Sequence, residues 1–434
     1  MLRVAVRIFS AAVLTLGVAG CGASITGASR PSGMPAAITA PSSSALENAP
    51  ADSAPVDSAP ASSSVASAPV VSTPAKPVGS PPQDIGDLQE FVQASATIWW
   101  ATVIGNLSNQ VYLMRTIDAG QHWQDVTPSV TMVHPNAEVG TDVLSADVAW
   151  LEIDAEPTAP QLFRTSNGGQ SWQQMGTVPE GCSLQFLDVA NGWCDTLQGA
   201  MGSMGVELYR TQDGGATWQL VSRTTGDGIT PGTVDALPFG CDKQLTFTSA
   251  NVAWASSFCA GGNPYLDIST DGGARWRPVA PPPFPAWAAP SEGEGLSDLV
   301  ATGDDVAVVD VGGVGPGGGV INTSSDGGRS WHMHPLPAPP SDEFWNVDLI
   351  DPTHWRATDG DVIISTDDAG AHWNRWTPPV SMLGQFRTPL TLDFVSPNVG
   401  AASEPSDRTP LWSTTDGGRT WTKVVIDAGP YVLN

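Results

Sequence analysis

The sequence predicts an all-β protein, a seven-bladed β-propeller of four-stranded antiparallel blades behind an unstructured leader, and three observations lead there. One eight-residue pattern, Ser/Thr-x-Asp-x-Gly-x-x-Trp with a single Asn in place of Asp, recurs seven times at intervals of 42 to 58 residues. Gly (46), Pro (38) and Trp (17) are plentiful while only 14% of residues are charged, a composition of strands and turns rather than helices. Upstream of each copy, alternating apolar residues mark two further strands joined by a short turn. Self-similarity at a fixed period of roughly 20–50 residues is the mark of a repeat architecture.

The first 20 residues read as an export signal. Arg3 and Arg7 form a positive start, and Ile8 to Val18 is an apolar stretch too short to span a bilayer. It ends in Val18-Ala19-Gly20-Cys21. Small residues before a Cys resemble the bacterial lipoprotein signal, which implies cleavage and acylation (palmitate included) of Cys21. An ordinary secretory cut with Cys21 incidental is the alternative. Either way the mature chain is expected outside the cytoplasm, and on the first reading it is held to the cell membrane by its N-terminal lipid alone.

Residues 21–85 form the next unit. From Gly22 to about Gln83 the chain repeats Ser, Ala, Pro and Val without an aromatic residue. Such a stretch buries too little apolar surface to offset the entropy of ordering, so it is expected to be a disordered tether.

The propeller is expected over 86–434. The repeats are TIDAGQHW (116–123), TSNGGQSW (165–172), TQDGGATW (211–218), STDGGARW (269–276), SSDGGRSW (324–331), TDDAGAHW (366–373) and TTDGGRTW (414–421). Their acidic or Asx positions are Asp118, Asn167, Asp213, Asp271, Asp326, Asp368 and Asp416, and their indoles are Trp123, Trp172, Trp218, Trp276, Trp331, Trp373 and Trp421. Each carboxylate is expected to accept hydrogen bonds from its own turn, with Asn167 making the same contact. The Gly takes a positive φ and the Trp packs under the hairpin. The upstream hairpins end in Ile98-Trp99, Ala149-Trp150, Gly192-Trp193, Ala253-Trp254 and His354-Trp355; blades five and seven keep the shape without the Trp. A calcium reading of the regularly spaced Asp is set aside, because each is explained by its own turn, and no metal or cofactor is expected.

The repeated octapeptide resembles the Asp-box, or BNR repeat, of sialidases, other glycosidases, sortilin-type receptors and the photosystem II assembly factor family. A hairpin ending in Gly-Trp followed by Leu208-Tyr209-Arg210 entering TQDGG is most similar to the last of these. Where the assembly family carries a basic propeller surface, this chain has only Lys76, Lys243 and Lys423.

Four cysteines remain beyond Cys21. Residues 182 and 194 are equidistant from 188, and 241 and 259 from 250, each midpoint lying in an expected hairpin turn. Facing positions across a hairpin suit disulfides in an oxidising compartment, so Cys182 is expected to pair with Cys194 and Cys241 with Cys259.

A net charge of −26 argues against nucleic acid as a partner. Sialidase chemistry, implied by one branch of the resemblance, needs a Tyr nucleophile, acids and three Arg. Tyr112, Tyr209 and Tyr265 sit in a repeating strand register and read as packing, Tyr431 lies in the tail, and Arg115, Arg164 and Arg210 read as solvated strand ends. Phe386-Arg387-Thr388-Pro389 approximates the Phe/Tyr-Arg-Ile-Pro element of sialidases but lies before the last blade. No catalytic residues are assigned. The long links are expected on the end opposite the Asp-boxes, and they carry Phe284, Trp287, Phe344, Trp345, Phe386 and Arg387 as a possible binding face. The expectation is a monomeric, non-catalytic, lipid-anchored propeller that binds a protein or glycan at the outer surface. A secreted sialidase-like glycosidase and an assembly factor for a membrane complex are the alternatives.

Overall fold

The computed structural model describes residues 72–74, 85–105, 110–129, 139–155, 158–198, 205–224, 237–238, 240, 242–258, 265–280, 282, 296–310, 319–337, 345–379, 390–403 and 411–426. It forms seven antiparallel sheets. After β1 (Ser72–Pro74), blade one holds β2 (Ile85–Gln93), β3 (Trp99–Gly105), β4 (Val111–Thr116) and β5 (Gln124–Asp125). Blade two holds β6 (Val139–Val143), β7 (Ala149–Ala155), β8 (Thr158–Thr165) and β9 (Ser171–Thr177). Blade three holds β10 (Cys182–Phe186), β11 (Gly192–Gln198), β12 (Gly205–Thr211) and β13 (Gln219–Thr224). Blade four holds β14 (Asp242–Phe247), β15 (Ala253–Phe258), β16 (Leu266–Ser269) and β17 (Arg277–Val279). Blade five holds β18 (Leu296–Thr302), β19 (Asp305–Asp310), β20 (Val320–Ser324) and β21 (His332–Pro335). Blade six holds β22 (Asn346–Leu349), β23 (Trp355–Thr358), β24 (Ile363–Thr366) and β25 (Asn374–Trp376), and blade seven β26 (Thr391–Phe394), β27 (Gly400–Ser403), β28 (Leu411–Thr414) and β29 (Thr422–Val424).

In every blade the strand order follows the chain, A to D, and these four strands come from one continuous segment. Blade two has a fifth strand: β1 pairs antiparallel with β9, Thr73 opposite Trp172. The leader expected to be wholly disordered therefore supplies one short strand to an outer sheet edge, where β9 offers unpaired amides and carbonyls.

The core is a ring of seven apolar clusters, one at each junction between blades. Side chains alternate across a strand, so the two faces of a blade serve two different junctions. In blade two, Ala149, Leu151 and Ile153 meet Trp100 and Val126 of blade one, while Trp150 packs on Phe186 of blade three with ring centroids 3.7 Å apart. The closing junction joins Ala401, Leu411 and Val424 of blade seven to Leu88, Trp99 and Met114 of blade one. Each Asp-box Trp enters the junction with the preceding blade, as Trp172 does with blade one and Trp276 with blade three.

The register separates residues that the sequence pattern groups together. Trp150, Trp193 and Trp254 lie opposite the residue before the Asp-box Ser/Thr, whereas Trp99 and Trp355 lie opposite Thr116 and Thr366 themselves. A one-residue slip turns a side chain to the other face. Trp99 and Trp355 accordingly pack toward the preceding blade, and Trp100 is the counterpart of Trp150.

The innermost strands are laced together. Asp142 Oδ2 accepts the Phe186 N–H of the next blade at 2.6 Å, Gln185 Oε1 that of Phe247 at 3.1 Å, and Asp348 Oδ2 that of Phe394 at 2.7 Å. Thr141 of blade two bonds Glu90 of blade one in the same ring. These buried amides are thereby satisfied without a shared strand.

Cys182 and Cys194 form a disulfide with Cα atoms 5.4 Å apart. The hairpin centres on Val189 rather than Asp188, so Cys194 faces Leu184 and the bridge runs diagonally along one face. In blade four Asp242 faces Phe258, the last pair before 241 and 259, which both lie outside the described residues. Peptide mapping of the unreduced protein from an oxidising compartment is expected to return a 182–194 and a 241–259 cystine; free thiols at 241 and 259 would refute the second.

Candidate functional site

The propeller has two unlike ends. At one end the A–B turns meet the Asp-boxes of the same blade. The first of the two positive-φ residues in each box donates its N–H to the A–B turn carbonyl at 2.8–2.9 Å, from Ala119 to Thr97, Gly168 to Asp147 and Gly327 to Asp304 among others. Within the box, Thr116 Oγ1 donates to Asp118 Oδ1 at 2.8 Å and accepts the Gly120 N–H at 3.1 Å, while Asp118 Oδ1 accepts the His122 N–H at 2.9 Å. Asn167 reproduces the pattern, accepting from Thr165 and Ser171 and donating to Ser171 Oγ at 2.8 Å. Among the described residues, no group of three or more His, Cys, Asp or Glu is placed to hold a metal ion.

The strand-end arginines do not simply end in solvent but reach the next blade. Arg115 stacks 5.3 Å over Trp100 and donates to the Ala146 carbonyl of blade two at 2.9 Å, its side chain only 11% exposed. Arg164 donates to the Val189 carbonyl at 3.0 Å, and Arg210 stacks on Trp193 at 5.3 Å. Arg356 performs the same task for blade seven from β23, donating to the Pro397 carbonyl at 2.6 Å and pairing with Asp367 at 3.0 Å. These residues fasten one blade to the next, because the turn carbonyls need donors and the indole faces attract cations. They are unavailable as a carboxylate clamp.

Among the tyrosines, Tyr209 is committed by a hydrogen bond, and the Tyr265 hydroxyl is buried with no hydrogen-bond partner among the described residues. Tyr209 donates to Glu207 Oε2 at 2.7 Å, with Glu207 held by Arg223 at 2.8 Å. Burial, helped by Glu207, raises the Tyr209 phenol, and burial raises Tyr265 further. A phenol serving as nucleophile needs the opposite shift.

The opposite end carries every variable link. D-to-A connections there range from the four residues of 178–181 to the seventeen of 225–241. Of the binding residues expected from sequence, Phe284, Trp287, Phe344, Phe386 and Arg387 lie outside the described residues, as does Cys21. Trp345 is described and is not a surface residue: it is 3% exposed, packs between blades five and six, and donates its indole N–H to the Pro337 carbonyl at 2.8 Å. Its apolar bulk makes it core, which its place on a link did not reveal.

Sequence reasoning passed over a polar cluster at this end of blade four. Lys243 donates to the Gly240 carbonyl at 2.6 Å and stands 6.0 Å over the Tyr265 ring. Asp267, 3% exposed, has one carboxylate oxygen without a hydrogen-bond partner. Burial pushes its carboxyl up to about 6, with Lys243 pulling it down. The available signal was an acid between Leu266 and Ile268 in a strand whose neighbours are core.

These features define a seven-bladed β-propeller, and comparisons with known proteins agree on that fold. No family model matches the chain. It is 31% identical over 93 residues to the photosystem II assembly lipoprotein Ycf48 of Synechococcus sp. (strain CC9902), a stretch covering 20% of this chain and 27% of that relative. The chain thus spans about a quarter of the curated relative it matches. Among solved structures, the GH74 xyloglucanase of Xanthomonas campestris shares the fold at a TM-score of 0.50 and 15% identity, covering 80% of this chain and 54% of that one. A Ycf48 bound to a D1 peptide aligns at a TM-score of 0.45 and 18% identity, over 84% of this chain and 99% of that one.

Two pH effects follow. Hydrogen bonds from Ser330 and from His372 lower Asp326 and Asp368 to about 2; for Asp118 burial acts upward, but bonds from His122 and Thr116 outweigh it and leave it at about 2. Carboxylates held below the ordinary value of about 3.9 add stability above that pH and lose it as pH falls toward 2. Replacing all three with Asn, which Asn167 shows the turn accepts, is expected to flatten the fall in Tm between about pH 4 and pH 2; an unchanged slope would refute the assignment. Asp267 has the opposite sign, its contribution lost as pH rises through about 6. Asp267→Asn should therefore raise stability at pH 8 by on the order of 1–2 kcal/mol and leave it unchanged near pH 4, read by thermal melts.

Proposed function

We propose that this chain is exported, anchored to the cell membrane through a lipid on Cys21, and works as a non-catalytic propeller that captures a protein or glycan partner outside the cytoplasm. The observation that carries the reading is the asymmetry of the two ends. One end repeats the same turn and hydrogen bond in every blade, while the other holds all the long and variable connections. Loops on a rigid scaffold are where recognition concentrates. The commitment of Arg115, Arg164, Arg210 and Tyr209 to contacts within the fold supports binding over hydrolysis. The Val18-Ala19-Gly20-Cys21 sequence and the similarity to an assembly lipoprotein support the anchor.

A second reading, an assembly factor for a membrane protein complex, is favoured by the 31% identity to that lipoprotein. The two differ only in the partner. Affinity capture with the full-length chain against membrane-protein complexes, beside a glycan array and a fluorogenic glycoside screen, separates them. Binding without sugar release is expected, and robust turnover of any glycoside would overturn the non-catalytic reading. Cys21→Ser is expected to abolish incorporation of a labelled fatty acid in cells; retained label would refute the anchor.

A further inference from the structure

At the Asp-box end, each junction between blades has a socket beside the A–B turn of the following blade, and among the described residues all but one are filled from within. Arg115, Arg164, Arg210 and Arg356 fill the sockets before blades two, three, four and seven. A Cβ on Gly168, Gly214 or Gly272 would lie 2.5–2.8 Å from a guanidinium atom, so a side chain there would displace the arginine. The sockets before blades six and one receive Thr323 and Ser413 in place of arginine. There the box glycine is replaced by Ala369 and Ala119, whose methyls pack against the junction clusters. Both alanines hold left-handed φ values, 54° and 59°, which a residue with a Cβ adopts at a cost. Arginine with glycine, or a small residue with alanine, completes each of these junctions.

The socket between blades four and five has neither. The residue opposite Trp254 is Ile268, and the box residue is Gly327, where an added Cβ would meet only Asp304 Oδ1 at 3.5 Å. The outcome is a cavity of about 300 Å³ lined by Trp254 and Ile268. The indole N–H donates to the next box in Trp150 (Gly214 carbonyl, 3.0 Å) and Trp193 (Gly272 carbonyl, 2.9 Å) and has no acceptor in Trp254, which is 1% exposed; Trp100, at the junction that Arg115 fills, also has none, so the socket itself and not the indole sets this junction apart. Arg277, which pairs across from Ile268, and Arg329 line the walls. Neither has an ion-pair partner among the described residues, and Arg329 spends one Nη on the Asp326 carbonyl at 2.8 Å. Thr248, Thr270 and Asp304 line the same cavity.

We propose that this cavity binds a sugar acid, a hydroxylated ring bearing a carboxylate. Two unpaired guanidinium groups in a chain of net charge −26 select an anion, and their planar fork suits a carboxylate. Asp304 repels a simple anion but accepts hydrogen bonds from ring hydroxyls. Thr248, whose hydroxyl donates to the Val252 carbonyl at 3.3 Å, and Thr270 add oxygen acceptors for ring hydroxyls. An acidic peptide or inorganic phosphate would satisfy the arginines and leave Asp304 opposed. The site lies at the end away from the variable links, so it does not rest on the function proposed above.

The test is isothermal titration of the full chain with galacturonate and glucuronate oligomers, with neutral galactose oligomers, inorganic phosphate and an acidic peptide as comparisons. Saturable uronate binding at least tenfold tighter than any comparison ligand is expected. Ile268→Arg, which copies the neighbouring junctions, and Gly327→Ala, which copies blades one and six, should each abolish that binding at some loss of Tm, the first by placing a charge at a core position and the second by adding a Cβ at a φ of 68°; Arg277→Ala, on the exposed wall, should weaken binding with Tm unchanged. Absence of uronate binding, equal binding of phosphate or peptide, or unchanged binding in whichever of the two socket variants folds would overturn the proposal.

Discussion

The contact on which the rest of this molecule depends is the hydrogen bond from the left-handed residue of each Asp-box to the A–B turn of its own blade. It ties the outer hairpin to the inner one, so a blade moves as one plate. The box carboxylate or amide accepts the N–H four residues on, the Ser/Thr hydroxyl accepts two more turn amides, and with the turn fixed, the Trp five residues after the carboxylate has one direction to point. Indoles bring large buried area and little rotational freedom, which suits a joint that must be made seven times.

From that plate the ring follows. Each blade offers one apolar face backward and one forward, and the junctions are made by stacked aromatics in some cases, such as Trp193 on Phe247, 4.0 Å apart, and by aliphatic packing in others, such as Leu296 and Val308 against Trp254. Polar ties reinforce the packing at both radii, inner-strand carboxylates near the axis and arginines further out. Turn geometry, packing and electrostatics all specify one closure, as expected of a sequence whose levels agree.

Much of this was legible in the residues. The boxes announced the blade count, Asn167 was readable as an Asp equivalent, and the two hairpins lacking a Trp still showed their alternation. What escaped was anything that turns on a single residue of register. Trp99 and Trp150 share a motif but face opposite junctions, and the 182–194 bridge is diagonal because its hairpin turns about 189. Arg115 and its counterparts looked solvated because their acceptors are carbonyls of another blade, invisible to local pattern. Ile268 was unremarkable as a strand residue until the junctions could be laid beside one another. The loop end was recognisable by link length, but which of its side chains face outward was not, as Trp345 shows.

Because no strand is exchanged across the seam between blades seven and one, that seam is the same kind of joint as the other six. The order in which the blades are read along the gene is then immaterial to the folded ring. Circular permutation with new termini between any two blades leaves every four-stranded sheet whole, and copying or deleting the coding segment of one blade other than blade two, whose β9 also holds β1, changes the circumference without tearing a β-ladder, a natural route by which such rings grow from tandem duplication.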